Sequence, residues 1–148
     1  MTAAVTLASM GNGPAFSAYQ SSAQNLSNAT TTKLQFQTEE FDTANAFDPV
    51  TNFRFTPQVA GYYQIIGGFR MNSVNTNMIL YLYKNGSAWS TIATTGTATM
   101  PAVYGTALMY LNGSTDYLEL YGIQFQGTTQ ALAAENATRF QASMVRAA

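Results

Sequence analysis

The sequence predicts an all-β fold, a β-sandwich or jelly roll, and three features of its pattern support this prediction. Short runs rich in β-branched and aromatic residues recur along the 148 residues, and clusters of turn residues separate them. Two of the runs end in Asn-Gly, at positions 85–86 and 112–113, which is a strong signal for a tight turn. The apolar spacing of a helix is hard to find. Many short strands between turns favour a sandwich or jelly roll over a parallel α/β sheet.

The strand-like segments are spread over nearly the whole chain. In chain order they span residues 14–20, 33–41, 61–71, 78–86, 104–113, 116–127 and 138–146. In the second segment Leu34 and Phe36 alternate with polar neighbours, which is typical of a half-buried strand. The polar run 21–32 predicts a loop, and so does 129–137, although the latter has some helical character.

The stretch NAFDPVTNFRFTPQVAGYYQI combines turn residues with aromatic ones. Proline fixes φ and lacks an N–H, so Pro49 and Pro57 each predict extended or turn backbone around them. Between them lies a short aromatic strand at 53–55. We expect the carboxylates of Asp42 and Asp48 to cap turns through their side-chain oxygens.

Composition excludes several classes of function. The formal net charge is -1 and the 6 Lys and Arg residues are scattered, so there is no basic stripe that would bind nucleic acid. The chain has no Cys and no His, which excludes a disulfide framework, a Ser-His-Asp triad and a zinc site of the usual composition. No stretch approaches the roughly 20 apolar residues of a membrane span, and the first residues lack the basic region of a signal peptide.

Charged residues make up only 9% of the chain, although about a quarter is usual for a soluble domain. One interpretation is a surface that is polar but uncharged. The other is that copies of the same chain, or other partners, cover much of the surface, since the cores of interfaces are depleted in charge. We favour the second interpretation.

Two predicted strands carry apolar side chains on both faces. In 116–127, Leu118 and Leu120 fall on one face, and in 78–84, Leu80 and Leu82 do the same. The opposite faces carry Tyr117, Tyr121, Ile123 and Phe125 in the later strand and Ile79, Tyr81 and Tyr83 in the earlier one. Central strands with two partly wet tyrosines would explain this pattern. Contact with neighbouring subunits would also explain it, and the number of tyrosines favours that explanation.

The turn-rich stretch resembles the signature of the C1q domain, in the superfamily of C1q and tumour necrosis factor. The matching residues, in order, are Phe47, Asp48, Phe55, Thr56, Pro57, Gly61, Tyr62 and Tyr63. The resemblance continues in PAFSA, YKNGS and GTALMYLNGSTDYLEL, and in the closing TRFQASMV. Gln141-Ala142 stands where the family usually has Ser-Gly. Residues 14–148 are therefore expected to form a C1q-like jelly-roll domain, and 1–13 an N-terminal arm.

The resemblance implies a ten-stranded antiparallel jelly roll that assembles as a homotrimer. Obligate interfaces of that kind bury roughly 2,000 Å² or more, and an isolated subunit would be unstable. The residues on which we expect the trimer interface or core to depend are Tyr62, Tyr81, Tyr83, Tyr117, Tyr121 and Phe125.

The sequence is most similar to C1q-like domains of bacteriophage structural proteins, which implies a place on the virion. A trimeric capsid decoration, or cement, protein would stabilise the head by binding several subunits of the major capsid protein. The arm 1–13 could pair with a capsid strand by β-augmentation. The alternative is a receptor-binding tip of a tail fibre, which would bind a host-surface glycan. For that role Trp89 is the candidate ligand contact, although we favour a rim contact within the trimer as the explanation of this residue.

Catalysis and metal binding are weakly supported. Glu39, Glu40 and Asp42 cluster near one turn and Asp116 with Glu119 near another, but solvated loop charges and turn caps explain these carboxylates. Several C1q-like trimers bind calcium through loop carboxylates, and Glu39, Glu40 and Asp42 are the dense supply of oxygens here. They lack the spacing of an EF-hand. We expect no enzymatic activity, no catalytic residue and no bound cofactor.

Overall fold

The computed structural model describes residues 13–72, 77–96 and 101–148, and these ranges fold entirely as strands, turns and loops. The expectations for the arm lie outside the described residues, except at Gly13. The first strands of the chain are short. They are β1 (Ala15–Tyr19), β2 (Asn25–Leu26), β3 (Thr32–Lys33), β4 (Thr38–Asp42), β5 (Phe47–Asp48) and β6 (Arg54–Phe55).

The strands that follow are longer and supply most of the two sheets. They are β7 (Gly61–Arg70), β8 (Met78–Lys84), β9 (Ser87–Thr95), β10 (Ala102–Leu111), β11 (Leu118–Gln124), β12 (Gln130–Ala131) and β13 (Arg139–Ala147). No helix in the described ranges has the length and hydropathy needed to cross a bilayer.

Two antiparallel sheets face each other across one core, as the sequence predicts. The first sheet has five strands in the order β10-β7-β13-β1-β4. The second sheet has six, in the order β5-β6-β11-β8-β9 with β3 also paired to β11. A small third sheet pairs β12 with β2. Because strands distant in sequence lie side by side, as β1 does with β13, the topology is that of a jelly roll rather than a simple meander.

Stacked phenylalanines join the two sheets at the centre of the core. Phe16 of the first sheet lies against Phe47 of the second, with ring centroids 4.6 Å apart and an interplanar angle of 9°. Phe55 stacks on the same ring at 4.7 Å, and Phe140 meets it edge-on at 5.0 Å. The aromatic residues of the turn-rich stretch therefore bridge the two sheets.

Both Asn-Gly pairs adopt turn conformations with positive φ at glycine. Asn85 has φ 54° and Gly86 φ 78°, the pattern of a type I′ turn, and this turn joins β8 to β9. Gly113 has φ 69°, and an added Cβ there would lie 2.1 Å from the amide nitrogen of Ala60. The prediction from the Asn-Gly pairs is confirmed.

The expected carboxylate caps are present at both aspartates. Asp42 accepts hydrogen bonds from the amides of Ala44, Ala46 and Phe47, at 3.1, 2.6 and 2.7 Å. Asp48 closes the next turn in the same way, through amides of residues 50–52. The two turns fold the aromatic stretch back onto the sandwich.

Some local details differ from the sequence-based expectation. The predicted strand 33–41 is broken: Leu34 and Phe36 are buried but lie in irregular chain between β3 and β4. Phe53, expected in a strand, has φ 50°, and the strand β6 begins one residue later. In residues 34–37 the burial of alternate side chains therefore produced a strand-like pattern, although this segment does not pair continuously with another strand.

Candidate interaction surfaces

The outer face of the first sheet exposes a group of large apolar side chains. Alternation along β7 and β10 turns one set of residues into the core and the other outward. The register places Tyr110 beside Tyr62, and their rings meet edge-on with centroids 5.6 Å apart. We call this surface the apolar face. It consists of Phe41, Tyr62, Ile66, Tyr104, Leu108 and Tyr110, which are 41–58% exposed in the single chain.

A groove crosses the apolar face beside Ile66. Its volume is about 180 Å³. Phe41, Ala15, Gln64 and Gln141 are among the residues that line it. Gln64 donates to the hydroxyl of Thr106 at 3.2 Å, and Gln141 donates to Ser17 at 2.9 Å. The groove is therefore apolar with its polar groups already hydrogen-bonded.

Charged side chains lie at one end of the apolar face. Arg70 pairs with Glu135, and Arg139 pairs with Glu40 at 3.3 Å. The two arginines lie at the end of the sheet where Gly68 pairs with Arg139. An apolar centre beside a charged rim is the usual anatomy of a protein interface.

The second sheet has an outer face of different chemistry. Cross-strand pairing sets Tyr121 of β11 directly beside Tyr81 of β8, and Glu119 beside Tyr83. The rings of Tyr83 and Tyr121 stack with centroids 3.9 Å apart. Each of these tyrosines is half-buried against its neighbours. We call this surface the tyrosine face and define it by Tyr81, Tyr83, Tyr117, Tyr121, Lys33 and Arg54.

Two cations lie against the rings of the tyrosine face. The Lys33 ammonium is 5.9 Å from the centroid of the Tyr121 ring, and the Arg54 guanidinium is 4.5 Å from that of Tyr117. Lys33 also contacts the Glu119 carboxylate at 2.5 Å, and Glu119 is only 4% exposed. Burial raises the pKa of the Tyr121 hydroxyl, and the nearby Glu119 charge adds to that effect.

The residues predicted for the trimer interface or core divide between these surfaces. Tyr62 lies on the apolar face, whereas Tyr81, Tyr83, Tyr117 and Tyr121 lie on the tyrosine face. They therefore do not form one contiguous patch. Whether either group contacts a neighbouring subunit stays a prediction.

Phe125 and Trp89 are not among the residues that define the two faces. Phe125 follows the end of β11 and is 41% exposed. Trp89 is 48% exposed on β9, where the pairing with β8 shifts between Leu82 and Tyr83. Such a β-bulge redirects side chains and is common next to functional sites. The exposure of Trp89 keeps it available as a ligand contact.

The apolar residues of β10 were missing from the sequence-based prediction. Tyr104, Leu108 and Tyr110 alternate with Val103 and Met109 on the opposite, buried face. This is the doubly apolar pattern that singled out β8 and β11. The signal was therefore present in the sequence.

The candidate carboxylates for catalysis or calcium are engaged in separate contacts. Glu40 accepts from Ser17 and pairs with Arg139, while Asp42 caps its turn. Burial raises the pKa of Glu39, and the neighbouring Asp42 charge adds to this. Within the described residues, no group of three acidic side chains is arranged to hold a metal ion.

Comparison with known proteins identifies the fold. No protein-family model and no curated protein matches the sequence. Among solved structures, the globular domain of zebrafish complement 1qA protein is 17% identical, with a TM-score of 0.63 over 91% of this chain and 99% of its own. Murine APRIL at pH 8.0 is 9% identical, with a TM-score of 0.68 over 90% of this chain and 99% of its own.

A third similar structure is the PRD1 vertex protein P5. It is 13% identical, with a TM-score of 0.67 over 93% of this chain and 99% of its own. At these identities the likeness establishes the fold, which is that of the C1q and tumour necrosis factor jelly rolls. The resemblance seen in the sequence motifs is thereby confirmed.

Proposed function

We propose that this chain is a structural protein of a bacteriophage virion, a homotrimer that decorates the capsid surface and stabilises it by contacting several capsid subunits. The observation that carries the proposal is the apolar face. Its large side chains, such as Leu108 at 58% exposure, lie together on one sheet of a chain that is only 9% charged. Soluble monomers rarely expose apolar patches beyond a few hundred Å².

Self-association is the simplest way to cover this face. Aromatic and aliphatic side chains make up most of the face, the amides of Gln64 and Gln141 among them are already hydrogen-bonded, and the ion pairs lie at one end. The C1q-like motifs imply a homotrimer, and the apolar face gives the trimer a surface to use. Tyr62, predicted for the interface, belongs to it.

The virion assignment rests on two kinds of similarity. The motif pattern resembles C1q-like domains of phage structural proteins, and the PRD1 vertex protein P5, a phage vertex protein, shares the fold over 93% of this chain. A trimer presents three identical outer surfaces, so weak contacts to separate capsid subunits would combine into tight attachment. The proposed role is mechanical rather than catalytic.

The trimer is tested by placing a charge on the apolar face. Leu108→Glu should convert the trimer to monomers or unfold it, because a carboxylate would be buried without a partner. Thr129→Glu, at an exposed loop position, adds the same charge and should leave the trimer intact. Mass from light scattering and the far-ultraviolet circular dichroism spectrum separate dissociation from unfolding. A folded wild-type monomer at micromolar concentration would refute the trimer.

The virion role is tested by binding. Purified protein is mixed separately with heads assembled without it and with host cells, and the bound amount is measured at saturation. Saturation of heads in multiples of three supports a decoration protein. Binding to cells or their glycans, with none to heads, would instead support a receptor-binding tip, for which the exposed Trp89 on the bulge of β9 is the contact to mutate.

A further inference from the structure

The tyrosine face is a preorganised surface that the proposed trimer leaves uncovered, since it lies on the opposite sheet from the apolar face. Its rings are fixed by the sheet: Tyr81 and Tyr121 are paired across neighbouring strands, and Tyr83 stacks on Tyr121. Side chains already held in one arrangement lose little conformational entropy when a partner binds. Tyrosine and arginine are also the side chains that most often dominate binding energy.

The charges of this face point to the chemistry of its partner. Glu119 is the carboxylate at its centre, and it is buried and contacted by Lys33. Arg54 lies over the Tyr117 ring, and no carboxylate of the described residues is within 4.0 Å of it. Asp48 is the cross-strand neighbour of Arg54 but forms no ion pair with it, so the guanidinium stays available for a carboxylate of a partner.

The tyrosine hydroxyls add hydrogen-bonding capacity. Within the part of the chain that the structure describes, the hydroxyls of Tyr81, Tyr83, Tyr117 and Tyr121 make no hydrogen bond to protein groups. By contrast, Tyr63 and Tyr104 donate to backbone carbonyls at 2.7 Å. Four hydroxyls beside two cations can therefore donate to acceptors on a partner.

We propose that the tyrosine face is the surface through which each subunit docks on a protein partner that presents carboxylates among apolar side chains. The inference rests on the proposed virion role, in which that partner is a capsid subunit. A nucleic acid fits the face poorly, because only Arg54 remains to neutralise phosphate once Lys33 is paired with Glu119. A second copy of the chain is not the expected occupant of the tyrosine face, because the proposed trimer already uses the apolar face for contacts between subunits.

The test compares two arginines that lack a carboxylate partner among the described residues. Arg54→Gln removes the cation of the tyrosine face. Arg146→Gln removes an exposed arginine of β13, which is the cross-strand neighbour of Tyr62 in the first sheet, and it serves as control once light scattering has shown that its trimer is intact. The probe is the head assembled without this protein, and binding is measured by cosedimentation at two salt concentrations. We expect Arg54→Gln to weaken binding at least tenfold and to reduce its salt dependence, while Arg146→Gln binds as the wild type does.

A second pair of variants tests the rings. Tyr83→Ser should weaken head binding at least tenfold, and Tyr83→Phe, which keeps the stacked ring but removes the hydroxyl, should weaken it less. Trimer mass and thermal unfolding are measured for every variant, so that a folding defect is recognised as such.

The outcomes separate the two proposals. If wild-type protein binds heads and both Arg54→Gln and Tyr83→Ser bind equally well, the tyrosine face is not the docking surface and the virion role still stands. If these variants lose the trimer instead, the face is a contact between subunits and the inference is wrong. If wild-type protein ignores heads and binds glycans through Arg54, both proposals fail.

Discussion

The Asn85 side chain donates from Nδ2 to Asp116 Oδ1 at 2.8 Å and thereby links the two Asn-Gly turns of the sandwich. Its Oδ1 accepts the Tyr117 amide at 2.9 Å. Asp116 also accepts the Asn112 amide at 3.0 Å and contacts the Lys84 ammonium at 2.8 Å. Asp116 is 7% exposed, so turns separated by 27 positions in the sequence share one polar network around a buried aspartate.

This network predicts unequal effects of two substitutions at Asn85. Asn85→Gly keeps the positive φ accessible but removes two hydrogen bonds, so we expect a loss of about 1–3 kcal/mol of unfolding free energy. Asn85→Ala adds the strain of a left-handed alanine, roughly 1 kcal/mol more. Urea unfolding at fixed protein concentration measures both.

Asn136→Ala is the control, because Asn136 is exposed and its side chain makes no hydrogen bond to the described residues. Equal losses for the glycine and alanine variants at position 85 would contradict the strain at its positive φ. If Asn136→Ala lowered the unfolding free energy as much as the Asn85 variants do, the losses at Asn85 could not be attributed to the network.

Asp48 predicts acid sensitivity. Hydrogen bonds from backbone amides, chiefly that of Thr51, lower the pKa of Asp48 to about 2 from its usual 3.8. A lowered pKa in the folded state means that the stabilisation is present above pH 3.8 and is lost as the pH falls towards 2. Because this turn is partly exposed, we expect an effect of roughly 1 kcal/mol.

The measurement is urea unfolding from pH 5 to pH 2 for the wild type and Asp48→Asn, with Glu39→Gln as control. Burial raises the pKa of Glu39, so its protonation favours the folded state as the pH falls, and Glu39→Gln should lose stability in acid at least as steeply as the wild type. Asp48→Asn should show a shallower loss. If the two variants had the same pH profile as the wild type, the cap at Asp48 would not be coupled to folding.

Local sequence signals predicted the strands and turns well. The Asn-Gly pairs and the two aspartate caps act through bonds within a few residues, so their chemistry is visible in the sequence. The segment 34–37 was predicted as strand because Leu34 and Phe36 alternate with polar residues. Its neighbour in space is β11, to which Leu34 bonds through the Leu120 carbonyl, and such a long-range contact leaves no local signal.

The candidate surfaces were harder to predict, since periodicity shows which side chains share a strand face but not which faces lie together. Tyr62 and Tyr121 were predicted together, as residues on which the trimer interface or core depends. The strand order separates them, because β7 belongs to the first sheet and β11 to the second. That order is set by pairing between distant segments, which a single sequence does not contain.

The close approach of β10 to β9 at one edge of the two sheets depends on the missing side chain of Gly105. A Cβ at this position would lie 2.3 Å from the carbonyl oxygen of Ile92, in the backbone of β9. Because the backbone carbonyl of Ile92 cannot rotate away as a side chain would, Gly105→Ala should lower the free energy of unfolding by about 1–3 kcal/mol through overpacking. Gly96→Ala is the control, because no atom lies within 4 Å of its added Cβ. Thermal unfolding of both variants measures the difference, and equal stability would mean that β9 and β10 separate freely.

The stacked phenylalanines predict an energetic coupling between the sheets. Phe16→Leu and Phe47→Leu each leave space around the ring that remains. The stability lost in each single variant includes the stacking interaction between these two rings, whose centroids are 4.6 Å apart. The double variant should lose less than the sum of the singles, by about 0.5–1.5 kcal/mol, because the pair interaction can be lost only once. Urea unfolding of the four proteins measures this coupling.

Phe16 with Phe69 provides the reference cycle, since both are fully buried but no ring contact joins them. The losses of unfolding free energy caused by Phe16→Leu and Phe69→Leu should add to within roughly 0.3–0.5 kcal/mol in the double variant. A coupling for Phe16 and Phe47 no larger than this reference would show that the two sheets are held together by buried area alone. A larger coupling would show that the aromatic residues of the turn-rich stretch fix the sheets through their stacking geometry.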